Sequence, residues 1–127
     1  MHIGQLKVLI VDDYKTMLKI IGNLLKQLGF VHIEEALDGG AALEKLKQEK
    51  FDLVISDWNM EPMNGLDLLK QVRNDDQLKD IPFIMVTAES KVENVVIAKK
   101  AGVSNYIVKP FNAQTLKTKL VSVLGQF

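Results

Sequence analysis

Two rhythms of hydrophobic residues alternate along this chain. Nearly unbroken apolar runs occupy residues 6–11 (LKVLIV), 51–56 (FDLVIS) and 81–87 (IPFIMVT), with shorter ones in VHIEEA from Val31 and YIV at 106–108. Each predicts a strand, and Pro82 stands at the entry of its run, where a missing N–H donor does least harm. Between these runs the apolar residues return every third or fourth position. Met17, Ile20, Ile21, Leu24, Leu25 and Leu28 predict a first helix, closed by Gly29. Asp38 is placed to cap a second helix carrying Ala42, Leu43 and Leu46. Gly65 precedes a third with Leu66, Leu69 and Val72. A fourth covers about 91–101 and ends at Gly102, and Asn112 is placed to cap a last helix reaching Leu124, before Gly125.

Strand and helix units thus alternate strictly, five of each. The central strands are continuous apolar runs, as required when both faces of a sheet are covered. The pattern predicts a three-layer, doubly wound α/β fold, a parallel sheet with helices on both sides. No linker, repeat or low-complexity stretch interrupts it, so a single domain over 1–127 is expected.

Composition narrows the function. Sixteen basic and sixteen acidic residues leave a formal net charge of zero, which gives no support for a nucleic-acid or membrane surface. The absence of cysteine excludes a disulfide framework, a zinc–thiolate site and a thiol nucleophile. The N-terminal MHIGQLK lacks a signal-peptide pattern and no apolar run approaches a membrane span, so a soluble, cytoplasmic protein is expected.

The candidate chemistry lies at the strand ends. VLIV runs into Asp12 and Asp13, LVIS into Asp57, IMV into Thr87 and YIV into Lys109. In a parallel sheet these ends share one edge, where open α/β sheets bind ligands. Singly, each residue has an ordinary explanation: a helix cap for Asp12 or Asp13, a polar loop residue at Asp57, a strand former at Thr87, a solvated charge at Lys109. Jointly they deliver three carboxylates, a hydroxyl and an ammonium to one region. Three crowded carboxylates repel one another, and one lysine leaves them under-neutralised where a divalent cation does not. All the candidate ligands are oxygens, so Mg2+ is the expected cofactor. This inventory suits phosphoryl transfer to Asp57 as nucleophile, with cation, lysine and hydroxyl stabilising the transferring oxygens.

VDD at 11–13, SDWNM at 56–60, NGLDLL at 64–69, MVTAES at 85–90 and YIVKPF at 106–111 resemble, in order and spacing, the receiver domains of bacterial two-component signalling. Within them the likeness is to the single-domain, CheY-like chemotaxis response regulators, and GNLLKQLGF at 22–30 and EEALDG at 34–39 extend it over nearly the whole chain. The resemblance implies a flavodoxin-like sheet of order 2-1-3-4-5. It implies that Asp57 is phosphorylated by a histidine kinase, and that Asp13, Asp57 and the backbone carbonyl of Asn59 hold Mg2+, with Asp12 assisting through water. Lys109 then contacts the phosphoryl group, Thr87 hydrogen-bonds it in the active state, and Tyr106 swings inward. The Lys109–Pro110 bond is implied to be cis. Asn59 and Glu89, each two residues beyond a site residue, occupy places where the family tunes the lifetime of the acyl phosphate. Such a protein is a monomeric signalling phosphoacceptor that catalyses only its own phosphoryl transfer and dephosphorylation, sometimes served by a phosphatase.

The output is expected on the face formed by the fourth helix, fifth strand and last helix. Val92, Val95, Val96 and Ile97 are more apolar residues than one buried stripe requires. If Val96 faces the sheet, Val92 and Val95 join Tyr106 and Lys119 as a partner surface; otherwise the whole helix is simply buried. The flagellar motor switch protein is the partner the resemblance implies. Four departures put that partner in question: Val92 where these regulators commonly carry lysine, Leu18 where they often carry arginine, Glu61 where proline is usual and Asn64 where aspartate is usual. A phosphate-sink or non-motor receiver, or a phosphorylation-dead binding module, is the alternative. Other classes lack their motifs. A haloacid dehalogenase needs D-x-D, but Tyr14 and Lys15 stand two residues after Asp12 and Asp13. A flavodoxin needs a Ser/Thr/Gly-rich loop where DDYKTM stands, and no Walker motif is present.

Overall fold

A computed structural model describes residues 2–88 and 92–127. A 3-10 turn, Ile3–Gln5, leads into β1 (Lys7–Val11), α1 (Lys15–Leu28), β2 (His32–Ala36), α2 (Gly39–Gln48) and β3 (Leu53–Asp57). Then come α3 (Gly65–Asn74), β4 (Phe83–Thr87), α4 (Val92–Lys100), β5 (Asn105–Val108) and α5 (Ala113–Leu124). The five strands pair in parallel in the order β2-β1-β3-β4-β5, the doubly wound, flavodoxin-like arrangement.

Alternate strand residues serve opposite faces, and in the central strands β1, β3 and β4 both faces are buried. Val8, Ile10, Ile55, Ile84 and Ile107 pack under α1 and α5, against Leu25 and Leu116. Leu9, Val11, Val54, Phe83 and Met85 pack under α2 and α3, against Leu46 and Leu69. This two-sided burial is why the central strands read as unbroken apolar runs. The helix starts are chemically set: Asp38 and Asn112 accept the N–H groups of Ala41 and Thr115 at 2.7 and 2.9 Å. Gly29 closes α1 with φ +111°, a left-handed conformation that glycine adopts without strain.

Several expectations need correction. β1 and β2 each begin one residue later than the apolar runs suggest, at Lys7 and His32. Phe51 and Asp52 precede β3: Phe51 is a core plug, and Asp52 accepts the Lys7 N–H at 2.8 Å. The strand therefore reaches Asp57 instead of stopping before it. β4 starts at Phe83, beyond the proline that has no N–H for the ladder. Gly65 is the first residue of α3 and Asn64 is its cap, accepting the Asp67 N–H at 2.8 Å. Neither Asp12 nor Asp13 caps α1. Tyr14 occupies that position without a side-chain bond, while Asp12 Oδ1 accepts the Tyr14 N–H at 2.9 Å in the turn before it. Ile20, one of the apolar residues whose spacing predicts α1, is 46% exposed. In α4 the buried residue is Ala98. Val96 is 42% exposed and does not face the sheet, Val95 is half-buried and Val92 is 75% exposed, so the fully buried alternative fails as well. Lys91, expected in this helix, and Glu89 lie outside the described residues.

Candidate functional site

The site is assembled by strand register. Val11 pairs with Ser56, Asp57 with Val86 and Thr87 with Val108, so the C-terminal ends of β1, β3, β4 and β5 stand side by side. The next residue out of β1 is Asp12 and the next out of β5 is Lys109, whose N–H donates to the Thr87 carbonyl at 2.8 Å. Asp12, Asp57 and Thr87 are buried, whereas Asp13 is exposed and opens the cluster to solvent.

One oxygen from each of Asp12, Asp13 and Asp57 lies within 4.8 Å of the others. The Lys109 ammonium stands 2.8 Å from Asp57 Oδ1 and 3.7 Å from Asp12 Oδ2. These are ion pairs without hydrogen-bond geometry, and among the described residues neither buried oxygen accepts a hydrogen bond. Burial pushes the Asp12 carboxyl above the ordinary aspartate range. The charges of Asp57 and Asp13 push the same way, and the Tyr14 N–H and Lys109 oppose them. Two buried carboxylate oxygens short of donors, an exposed third carboxylate and an all-oxygen donor set fit a hard divalent cation. An open groove lined by Asp13, Asn59, Met60, Glu61, Pro62 and Asn64 leads to it.

Neighbouring groups fix the cradle. Ser56, fully buried, donates its hydroxyl to the Asp57 carbonyl at 3.0 Å. The Trp58 N–H donates to the Val86 carbonyl at 2.9 Å, holding the chain after β3 against β4. Gly65 turns back onto this segment, its N–H donating to the Trp58 carbonyl at 2.8 Å. A methyl at Gly65 would stand 2.2 Å from the Asp57 carbonyl oxygen, so only glycine fits. Both Lys109–Pro110, as the resemblance implies, and Glu61–Pro62 are cis.

Asn59 is exposed in the loop after β3. Tyr106 is half-buried against the α2–α3 side of the core, and the Lys119 ammonium stands 4.9 Å from its ring centroid, a cation–π distance. Two of the departures have structural roles: Leu18 is a buried core residue, and Asn64 caps α3 as an aspartate would. Arg73 is a supporting residue that sequence reasoning missed. Its guanidinium donates to the carbonyls of Gly102, Ile81 and Lys79 at 2.8, 2.7 and 3.0 Å, tying α3 to the loops on either side of α4 and β4. No local pattern marks those three carbonyls as its partners.

The family model described as response regulator receiver domain matches residues 8–121. The chain is 55% identical over 115 residues to chemotaxis protein CheY-3 of Vibrio cholerae, covering 91% of this chain and 88% of that one. It is 51% identical over 118 residues to chemotaxis protein CheY of Pseudomonas aeruginosa, covering 93% and 95%. Among solved structures, chemotaxis protein CheY4 of Vibrio cholerae matches with a TM-score of 0.87 at 39% identity, over 94% of this chain and 98% of that one.

Proposed function

As a member of the response regulator receiver domain family, this chain works in two-component phosphoacceptor signalling, and we propose that Asp57 is the residue phosphorylated, by a histidine kinase with Mg2+. Asp13, Asp57 and the Asn59 backbone carbonyl would hold the ion, with Asp12 assisting. The observation that carries this reading is the Asp57 carboxylate: buried, paired with the Lys109 ammonium at 2.8 Å, and short of hydrogen-bond donors within a three-carboxylate cluster.

Transfer breaks the P–N bond of a phosphohistidine and forms a P–O bond to an Asp57 carboxylate oxygen, with the imidazole leaving. Mg2+ held there would supply neutralisation of charge on the transferring oxygens. Lys109 stays with those oxygens through its ammonium. The new group carries about two negative charges and three acceptor oxygens, and the Thr87 hydroxyl moves to donate to one of them. Tyr106 fills the space Thr87 leaves, which alters the face of α4, β5 and α5. Asn59 and Glu89 tune how long the acyl phosphate lasts. Val92, Val95, Tyr106 and Lys119 contribute to the partner surface, and the flagellar motor switch protein is the partner we assign, a reading supported by the likeness to chemotaxis proteins.

Intact mass after incubation with Mg2+ and a small phosphodonor tests the acceptor. One added phosphoryl group on the wild type and none on Asp57→Asn is expected; a modified Asp57→Asn protein refutes the assignment. Binding to the motor switch protein that requires a phosphoryl mimic and is lost on Val92→Asp supports the partner, and normal swimming reversals after gene deletion count against it.

A further inference from the structure

Residues 58–64 join β3 to α3 and carry Asn59, whose carbonyl is a metal ligand in the proposed function; the role inferred for Gly39 rests on that assignment. The segment is pinned at both ends. Trp58 is bonded to β4, Met60 is buried on the α2–α3 side of the core, and Gly65 is pressed onto the Asp57 carbonyl. Between these pins Met63 packs, half-buried, over the first residue of α2, Gly39.

Gly39 is buried, and its φ is not positive, so its backbone suits any L-residue. Alanine is also the better helix former. The glycine instead provides room. A methyl there would stand 2.8, 2.9 and 2.9 Å from Cγ, Cβ and Sδ of Met63. Cβ is set by the backbone, so rotating the methionine side chain cannot relieve the overlap. The adjacent Gly40 is different: a methyl there would meet only Asp38 Oδ1, at 3.4 Å, an ordinary contact.

We propose that Gly39 is a positioning residue for the metal site: its bare Cα seats Met63, and that seat sets where the loop presents the Asn59 carbonyl. A side chain at Gly39 lifts Met63. The lift is not absorbed toward α3, because Gly65 has no space against Asp57, so it passes back along the loop toward Asn59. Mg2+ demands near-ideal octahedral geometry, whereas Ca2+ accepts irregular coordination. A displaced carbonyl therefore weakens Mg2+ more than Ca2+, a selectivity change that loss of fold stability alone does not produce.

The test is the dissociation constants for Mg2+ and Ca2+, read from Trp58 fluorescence, in wild type, Gly39→Ala, Gly40→Ala, Met63→Ala and the Gly39→Ala/Met63→Ala double variant. Gly39→Ala is expected to weaken Mg2+ binding about tenfold, the loss typical of outer-shell supports, and Ca2+ binding less. Gly40→Ala leaves both unchanged. Met63→Ala alone weakens Mg2+ binding. It removes the Cγ and Sδ that a Gly39 methyl would meet and keeps the Cβ at 2.9 Å, so in its background Gly39→Ala costs less than in the wild type without becoming silent. A folded Gly39→Ala protein with wild-type Mg2+ affinity overturns the inference, as does an equal loss in both backgrounds. If Gly39→Ala does not fold, wild-type affinity in Met63→Ala overturns it. A wild type that binds no Mg2+ refutes the proposed function instead.

Discussion

Replacing Lys109 by methionine removes positive charge from the cluster while keeping most of the side-chain volume. The ammonium lies 2.8 Å from one buried carboxylate oxygen and 3.7 Å from another. At an effective dielectric of about 20 these contacts are worth about 6 and about 4.5 kcal/mol of gross attraction. The variant does not lose that full amount, because a carboxyl stripped of its cation takes up a proton instead. Protonating an aspartate of ordinary pKa near 4 at pH 7 costs about 4 kcal/mol, which caps the penalty. Asp12 is the group poised to do so. Burial already holds its pKa up, and without Lys109 only the Tyr14 N–H opposes the rise. A carboxyl with a raised folded-state pKa favours the fold where it is protonated and loses that contribution as pH rises. The expected result is a loss of about 2–4 kcal/mol at pH 7 in the absence of divalent cation, in line with breaking a buried ion pair. The gap to wild type narrows on acidification toward pH 5, by at most about 1.4 kcal/mol per pH unit for the one proton taken up. Mg2+ narrows it at pH 7 as well, by replacing the missing charge. Urea unfolding with chelator at both pH values, then with Mg2+, measures this. A variant as stable as wild type at pH 7 with chelator, or a penalty that ignores both pH and Mg2+, refutes the charge-balance argument.

Three further outcomes are expected. Gly65→Ala places a methyl 2.2 Å from the Asp57 carbonyl oxygen, a clash with backbone that should cost about 3 kcal/mol in urea unfolding and slow phosphorylation; a change below about 1 kcal/mol contradicts it. Arg73→Ala leaves three carbonyls without their donor and should cost about 2–3 kcal/mol, and Arg73→Lys should recover little of it, since one ammonium does not span the fork; full recovery by lysine shows that charge alone mattered. Hydrogen bonds from Lys7 and then Lys45 hold the Glu34 carboxyl below its usual range. Its contribution is present above the ordinary glutamate pKa of about 4.3 and is lost as pH falls through the lowered value. The stability difference between wild type and Glu34→Gln should therefore vanish in acid, and a difference that persists there shows that packing, not charge, is responsible.

The parts of the site that the sequence made readable are those that a strand end implies. Asp12, Asp57, Thr87 and Lys109 each close or follow an apolar run, and parallel pairing brings such ends together whatever the details of packing. Caps at Asp38 and Asn112 were readable because capping is local. The orientation of α4 was not. Apolar residues spread around that helix, so periodicity does not choose between Val96 and Ala98 as the buried side, and the sheet's choice of Ala98 depends on tertiary packing. The ordinary alternative for Asp12 or Asp13, a helix cap, does not hold, because the turn at Tyr14 uses the Asp12 carboxylate one step earlier. The grip of Arg73 on three carbonyls, the seat of Met63 on Gly39 and the press of Gly65 on Asp57 join positions far apart or out of phase in the chain. No spacing rule encodes them.

The central claim is that the Asp12, Asp13 and Asp57 cluster binds a divalent cation and accepts a phosphoryl group. Trp58, the sole tryptophan, adjoins Asp57 and reports on both events. The decisive measurement is its fluorescence during titration with Mg2+, then with beryllofluoride as a phosphoryl mimic, in wild type and Asp57→Asn. A Mg2+-dependent change in wild type, then a further change with beryllofluoride that Asp57→Asn lacks, is predicted. A beryllofluoride response that persists in Asp57→Asn, or a wild type that answers neither addition and gains no phosphoryl mass from a phosphodonor, contradicts the account.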